Sequence, residues 1–137
     1  MERGGMKLVV DTGVLMLILK GDPRVKDVVN SLVEGVKAVT AATNLVELYY
    51  KTEEKLGRQV ALTWFNRLIR LKNLDVAYVD ANLALKAGML KAKYRGELSL
   101  ADAVIAAVAE MEKSPLLTTD SRLKMVKEVD VKLYSVE

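Results

Sequence analysis

The chain predicts an α/β fold: a mostly parallel sheet with helices on both faces. Three observations carry that prediction. Short apolar runs rich in β-branched residues alternate with longer stretches of helical period along all 137 residues. Two of the strand-like runs lead straight to an aspartate, Leu8-Val9-Val10-Asp11 and Leu116-Leu117-Thr118-Thr119-Asp120. One helical stretch, Leu100 to Ala109, is apolar on every side of its wheel and is interrupted by Asp102 alone, the pattern of a buried helix.

Lys7 to Val10 reads as a buried strand. Asp11-Thr12-Gly13 breaks it, and Val14 to Leu19 reads as a short helix ending near Gly21-Asp22-Pro23. Pro23 suits the first turn of a second helix, whose apolar positions Val25, Val28, Val29, Leu32 and Val33 keep helical spacing up to Gly35. Val36 to Ala42 is the second strand. Thr43 or Asn44 can cap the helix that follows, with its stripe of Leu45, Leu48, Tyr49 and Leu56. After Gly57 another helix runs from about Gln59 to Lys72, and Val76 to Val79 is the third strand. Asp80 caps a helix through Tyr94, stopped by Gly96. Ser99 opens the apolar helix, which Ser114-Pro115 ends. Leu116 to Thr118 is the fourth strand, a short basic helix follows, and Val131 to Tyr134 closes the chain as an edge strand. There is no repeat, low-complexity tract or interdomain linker. Residues 6–137 therefore read as one domain, and 1–5 as a flexible tail ahead of Met6, a natural start.

Composition narrows the chemistry. With 51% hydrophobic residues the chain has the means to bury a core. No apolar run nears the roughly 20 residues that cross a bilayer, and no signal peptide precedes the first strand, so the expectation is a soluble, cytoplasmic protein. There is no Cys and no His. That excludes disulfides, thiol nucleophiles, Cys-based zinc sites, the Ser-His-Asp triad and imidazole metal ligands. Carboxylates, hydroxyls, Lys or a metal must do any catalysis. A net charge of +3 permits a polyanionic partner without requiring one. Tracts such as Arg122 to Lys127 read as solvated faces that become useful if phosphates are held nearby.

Four carboxylates are the candidates: Asp11, Glu47, Asp102 and Asp120. Asp11 and Asp120 follow strands, where ligands bind in parallel α/β sheets, though each equally suits a helix cap. The two would share a crevice if their strands were neighbours. Asp102 also matches a capping box with Ser99, yet a carboxylate in so apolar a helix lacks water on most sides and needs a partner. Glu47 by itself reads best as a surface pair with Lys51. Gathered in one fold the acids would repel each other unless a cation sat among them, which points to an oxygen-ligand site for Mg²⁺ or Mn²⁺. Neutralising either Asp11 or Asp102 with Asn is then expected to leave the metal-free protein as stable or more so.

Taken in order, Leu8-Val9-Val10-Asp11-Thr12-Gly13-Val14-Leu15, Asn44-Leu45-Val46-Glu47-Leu48, Leu98-Ser99-Leu100-Ala101-Asp102-Ala103-Val104-Ile105-Ala106-Ala107 and Leu116-Leu117-Thr118-Thr119-Asp120 resemble the PIN-domain family of metal-dependent ribonucleases, most closely its VapC-type toxins. The resemblance spans nearly the whole chain. It implies a parallel sheet of about five strands with the acids meeting at its carboxyl end. It implies Asp11 and Asp102 as the main ligands of Mg²⁺ (or Mn²⁺), completed by Glu47 and Asp120, with Thr12, Ser99 and Thr118 as hydroxyls that orient carboxylates or phosphate. It further implies RNA as substrate, a small antitoxin protein as partner, and a homodimer. Gly13 departs from the family, many of whose members carry Ser or another residue there. Two other readings are weaker. Asp11-Thr12-Gly13 also spells the aspartic-protease signature, but that fold is all-β. The aspartyl-phosphate enzymes place a second Asp where this chain has Gly13. A PIN-like module that binds RNA or protein without cutting is the alternative function.

Overall fold

The computed structural model describes residues 7–135. Five short strands carry the apolar runs: β1 (Lys7–Val10), β2 (Lys37–Ala41), β3 (Leu74–Ala77), β4 (Leu116–Thr118) and β5 (Val131–Leu133). They form one sheet in the order β3-β2-β1-β4-β5, with every neighbouring pair parallel. Parallel pairing demands crossovers, most of which are helical. These are α1 (Thr12–Lys20), α2 (Lys26–Val33), α3 (Ala42–Leu56), α4 (Arg58–Ile69), α5 (Ala81–Lys93) and α6 (Leu100–Glu112).

Residue alternation along the central strands sorts the core into two layers. Val9, Val39 and Leu116 face one side and pack with Leu83, Ala87 and Leu90 of α5 and the buried run Ala103 to Ala109 of α6. Val10, Ala38 and Leu117 face the other, against Val14, Leu15, Leu17 and Leu19 of α1, Val28 of α2, Leu48 of α3 and Leu68 of α4. The fold is thus a three-layer α/β sandwich around a five-stranded parallel sheet, as the alternation of runs predicts. The abundance of alanine in α6 lets that helix lie close on β1, β2 and β4.

The topology fixes where a site belongs. The chain steps outward from β1 to β2 and β3, then returns to the far side of β1 to add β4 and β5. Strand order therefore reverses between β1 and β4, which pair directly, Val9 with Leu116 and Val10 with Leu117. A crevice opens beyond the carboxyl ends of strands at such a switch point. Asp11 and Asp120 lie at the carboxyl ends of these two strands.

Several boundaries differ from expectation for local reasons. Helix α1 begins at Thr12, because the Asp11 carboxylate caps it by accepting from the Thr12 amide, so Gly13 lies inside the helix. The second helix splits into a 3₁₀ turn at Pro23–Val25 and then α2. Asn44 sits three residues into α3 rather than at its cap, and its side chain reaches back to the Ala41 amide at 3.2 Å. Strand β3 starts two residues earlier than the apolar run suggests. As an edge strand it is set by pairing with β2, from Ala38–Leu74 to Ala41–Ala77, which leaves Tyr78 and Val79 outside, Tyr78 72% exposed. The basic helix is a 3₁₀ turn, Ser121–Met125. The expected tail, 1–5, lies outside the described residues, as does Met6. No helix among the described residues is long and apolar enough to cross a membrane.

Candidate active site

Asp11 is the most heavily anchored group at the switch point. It is 7% exposed, and each carboxylate oxygen is engaged. Oδ1 accepts from the Thr12 amide at 2.8 Å and from Asn44 Nδ2 at 2.9 Å; Oδ2 accepts from Thr118 Oγ1 at 2.6 Å. Thr118 in turn accepts from the Asp120 amide at 3.0 Å, so one buried hydroxyl ties together the ends of β1 and β4. Thr12 Oγ1 accepts from Asn44 at 2.8 Å and donates to Glu47 Oε1 at 2.7 Å. The other Glu47 oxygen keeps the expected helical pairing with Lys51, at 3.8 Å. Glu47 is therefore both a surface partner of Lys51 and, through Thr12, tied to the Asp11 end of the site.

The second half of the site comes from α6 and the turn after β4. Ser99 caps α6, its Oγ accepting from the Asp102 amide at 3.1 Å. This cap fixes the first turn of the helix and so the Asp102 side chain, which is 11% exposed. Asp102 Oδ2 is buried with no hydrogen-bond partner. Asp120 caps the 3₁₀ turn, accepting from the Arg122 amide, and is gripped by the Arg122 fork: Nε lies 3.2 Å from Oδ1 and one terminal nitrogen 3.1 Å from Oδ2. The same terminal nitrogen stands 3.9 Å from Asp102 Oδ2.

Electrostatics tie these acids into one group. Burial pushes Asp102 up to about 6, and the neighbouring charges of Asp120 and Asp11 add to the rise. Burial also raises Asp11, partly countered by the hydrogen bonds from Thr118, Thr12 and Asn44 and reinforced by the charge of Glu47. Asp120 goes the other way: burial would raise it, but the Arg122 contacts outweigh burial and hold it below the ordinary carboxylate range.

The structure thus brings Asp11, Glu47, Asp102 and Asp120 to one crevice. The three expected hydroxyls lie beside them, and each orients a carboxylate or caps its helix. Two residues were underread in the sequence. Asn44 passes there as a helix cap, yet its amide holds both Asp11 and Thr12. Arg122 passes as part of a solvated basic tract, yet it stands between Asp120 and Asp102. A polar residue in a helix's first turn three positions before a candidate acid, and a cation two positions after one, are the patterns that would have marked them.

Gly13 also has a structural reason. A β-carbon there would collide with Thr119 Oγ1 and lie 3.0 Å from Thr119 Cβ. The turn after β4 is pressed against the first turn of α1, which holds the Asp11 and Asp120 segments side by side.

Among the described residues no three acids are drawn up as a ready metal cage. The donor set nevertheless fits a hard divalent cation: it consists of carboxylate oxygens, and one of them is buried without a partner.

The Thr118 hydroxyl gives a direct check on this architecture. Thr118→Val keeps the shape but leaves Asp11 Oδ2 and the Asp120 amide without their shared partner. The expected loss in chemical unfolding is about 1–3 kcal/mol.

Comparison with known proteins agrees with this fold. A model of the PIN domain matches residues 8–129. The structure of VapBC2 from Rickettsia felis bound to a DNA fragment from their promoter superposes with a TM-score of 0.77 at 16% identity, covering 95% of this chain and 100% of that one. A toxin–antitoxin complex from Klebsiella pneumoniae gives 0.71 at 18% identity, with 94% and 99% covered. VapC20 of Mycobacterium tuberculosis, described as a Sarcin-Ricin loop cleaving toxin, gives 0.69 at 21% identity, with 90% and 98% covered. At these identities the likeness is one of fold. Comparison with curated protein sequences finds no match. With the family model running from β1 past β4, through all four acidic positions, the chain belongs to the PIN-domain family.

Proposed function

We propose that the chain is a metal-dependent endoribonuclease of VapC toxin type that hydrolyses RNA phosphodiester bonds. The observation that carries this reading is Asp102, a buried carboxylate at the switch point with one oxygen lacking any hydrogen-bond partner and two other acids nearby. Mg²⁺ or Mn²⁺ is the partner such an oxygen suits. Asp11 and Asp102 would hold the ion, and Glu47 and Asp120 would complete the set. Bound there, the ion neutralises charge on the scissile phosphate and lowers the pKa of water. The chain's own residues prepare the place. Asn44 and Thr118 fix both Asp11 oxygens, Thr12 turns Glu47 inward, and Ser99 sets the first turn of α6 so that Asp102 faces the crevice.

Water as nucleophile leaves a 5′-phosphate and a 3′-hydroxyl. Cleavage should stop in EDTA and return with Mg²⁺ or Mn²⁺, and end-mapping should find those termini. A 2′,3′-cyclic phosphate as the main product, or cutting undiminished by EDTA, would overturn the mechanism. RNA bound but uncut in Mn²⁺ would make the chain a binding module instead. The same reading gives the protein a small antitoxin partner and a homodimeric state. Among the aromatic residues of α3 and α4, Tyr49 packs edge-on to Phe65 at 6.4 Å and Trp64 leans on the core, which leaves exposed Tyr50 as the one free to meet a partner. Light scattering showing a monomer across micromolar concentrations would count against the dimer.

A further inference from the structure

Two aspartates in this chain carry the same local device. Asp22 and Asp120 each cap a 3₁₀ turn, and each accepts from the amide and guanidinium of the arginine two residues on. The fork is therefore a local motif and by itself signals nothing. What separates the copies is where the arginine goes next. Arg24 donates onward to the Ser135 carbonyl at 3.0 Å. Arg122 extends over the acidic crevice, with one terminal nitrogen 3.1 Å from Asp120 and 3.9 Å from the unpartnered Asp102 oxygen. Its side chain is 63% exposed, so the rest of the guanidinium faces the solvent from which a substrate would arrive.

This position poses a competition. A divalent cation drawn to Asp102 and Asp120 must take oxygens beside which the guanidinium now stands. Once displaced, a guanidinium at the rim has no nearer use than an anion, and its planar fork matches two phosphate oxygens. RNA approaching four carboxylates also needs local positive charge. Among the described residues, the cations paired with these acids are Lys51 on Glu47 and Arg122.

We propose that Arg122 is the phosphate-binding residue of this site: it rests on Asp120 beside Asp102 in the metal-free protein and is exchanged onto an RNA phosphate when a divalent cation takes those carboxylates. The proposal rests on the nuclease reading above and adds a named RNA contact to it. Before metal binds, Arg122 screens the acids from each other. Afterwards it holds the substrate over them.

The test uses the full chain with Arg122→Gln and Arg122→Lys, and with Arg24→Gln as the control for the local fork. Arg24 lies past the far end of α1, a helix of nine residues about 13 Å long, with the acids at its other end. In a calorimetric Mn²⁺ titration without RNA, Arg122→Gln should bind the ion roughly tenfold more tightly, because no guanidinium competes. Arg24→Gln should match the wild type. Binding of a short single-stranded RNA of mixed sequence is then followed by anisotropy with Ca²⁺ present. Arg122→Gln should weaken it several-fold and lower the slope of log affinity against log salt by about 0.7. Arg122→Lys should restore the slope but not the full affinity, since it keeps the charge without the fork. Unchanged Mn²⁺ affinity in Arg122→Gln would overturn the exchange, and unchanged RNA affinity and slope would overturn the phosphate contact. If the wild type binds Mn²⁺ yet cuts no RNA with any ion, the nuclease reading fails by itself, while the Mn²⁺ comparison still decides whether Arg122 competes for the carboxylates.

Discussion

Asp102→Asn is expected to lower cleavage by on the order of a hundred- to a thousandfold while making the metal-free protein more stable at neutral pH. The two effects share one cause. The Asp102 carboxylate is buried, one of its oxygens has no hydrogen-bond partner, and it is pushed up to about 6 by burial and by Asp120 and Asp11. A carboxylate whose pKa is higher in the fold than in the unfolded chain favours folding most when it is protonated. That contribution is present in full below about pH 4, the unfolded value, and is lost as the pH rises through about 6. By pH 7 the wild type has lost on the order of 1–2 kcal/mol through this group, after discounting for the solvent that reaches it. Asn carries no charge to bury and escapes that loss. Urea unfolding in EDTA at pH 5 and pH 7 reads the difference: the mutant's advantage should grow across the interval. Excess Mn²⁺ should reverse the order, since a bound cation stabilises the wild type and has less to hold in the mutant. A mutant that melts well below the wild type in EDTA at pH 7 would show Asp102 to be structural.

Much of this arrangement was legible in the sequence, and the reason is local. β1 and β4 are short apolar runs buried on both faces, so their limits follow from composition, and the aspartates that follow them mark their carboxyl ends. α6 is apolar all round, so its burial and the oddity of Asp102 are visible without coordinates. What could not be read is non-local. That β1 and β4 are neighbours depends on the chain returning across β1 after β3, and nothing in either strand states it. The partners of Asp11 come from three separate places, the start of α1, the start of α3 and the end of β4, and a hydrogen bond spanning 107 residues has no signature in spacing. Edge strand β3 was misplaced because its half-buried residues are weakly patterned and its limits come from pairing with β2. Arg122 was hidden because an exposed basic tract looks the same whether its charge faces water or an acidic crevice.

Asp11→Asn should also abolish cleavage, but with the opposite effect on stability. In the sequence Asp11 and Asp102 look equivalent, two acids whose mutual repulsion either substitution would relieve. The structure separates them, because Asp11 is satisfied where Asp102 is not. With Asn at position 11 the amide oxygen must stay on the Thr12 amide and Asn44 Nδ2, both of which donate. The new amide nitrogen then faces Thr118 Oγ1, which at present donates to Asp11. Two donors meet unless the hydroxyl turns away, and Thr118 is fully buried, out of reach of bulk solvent. The misfit should cost about 1–2 kcal/mol and outweigh the relief of repulsion, leaving the metal-free mutant less stable than the wild type.

 A double-mutant cycle with Thr118→Val isolates the cause. If the hydroxyl is the group left misfitted, Thr118→Val should cost less in the Asp11→Asn background than in the wild type, with a coupling of about 1 kcal/mol or more. Additive effects would mean that the Thr118 contact does not set the charge state the fold requires at Asp11. Asp11→Asn gaining stability in EDTA as Asp102→Asn does would show that repulsion, rather than hydrogen bonding, governs both acids.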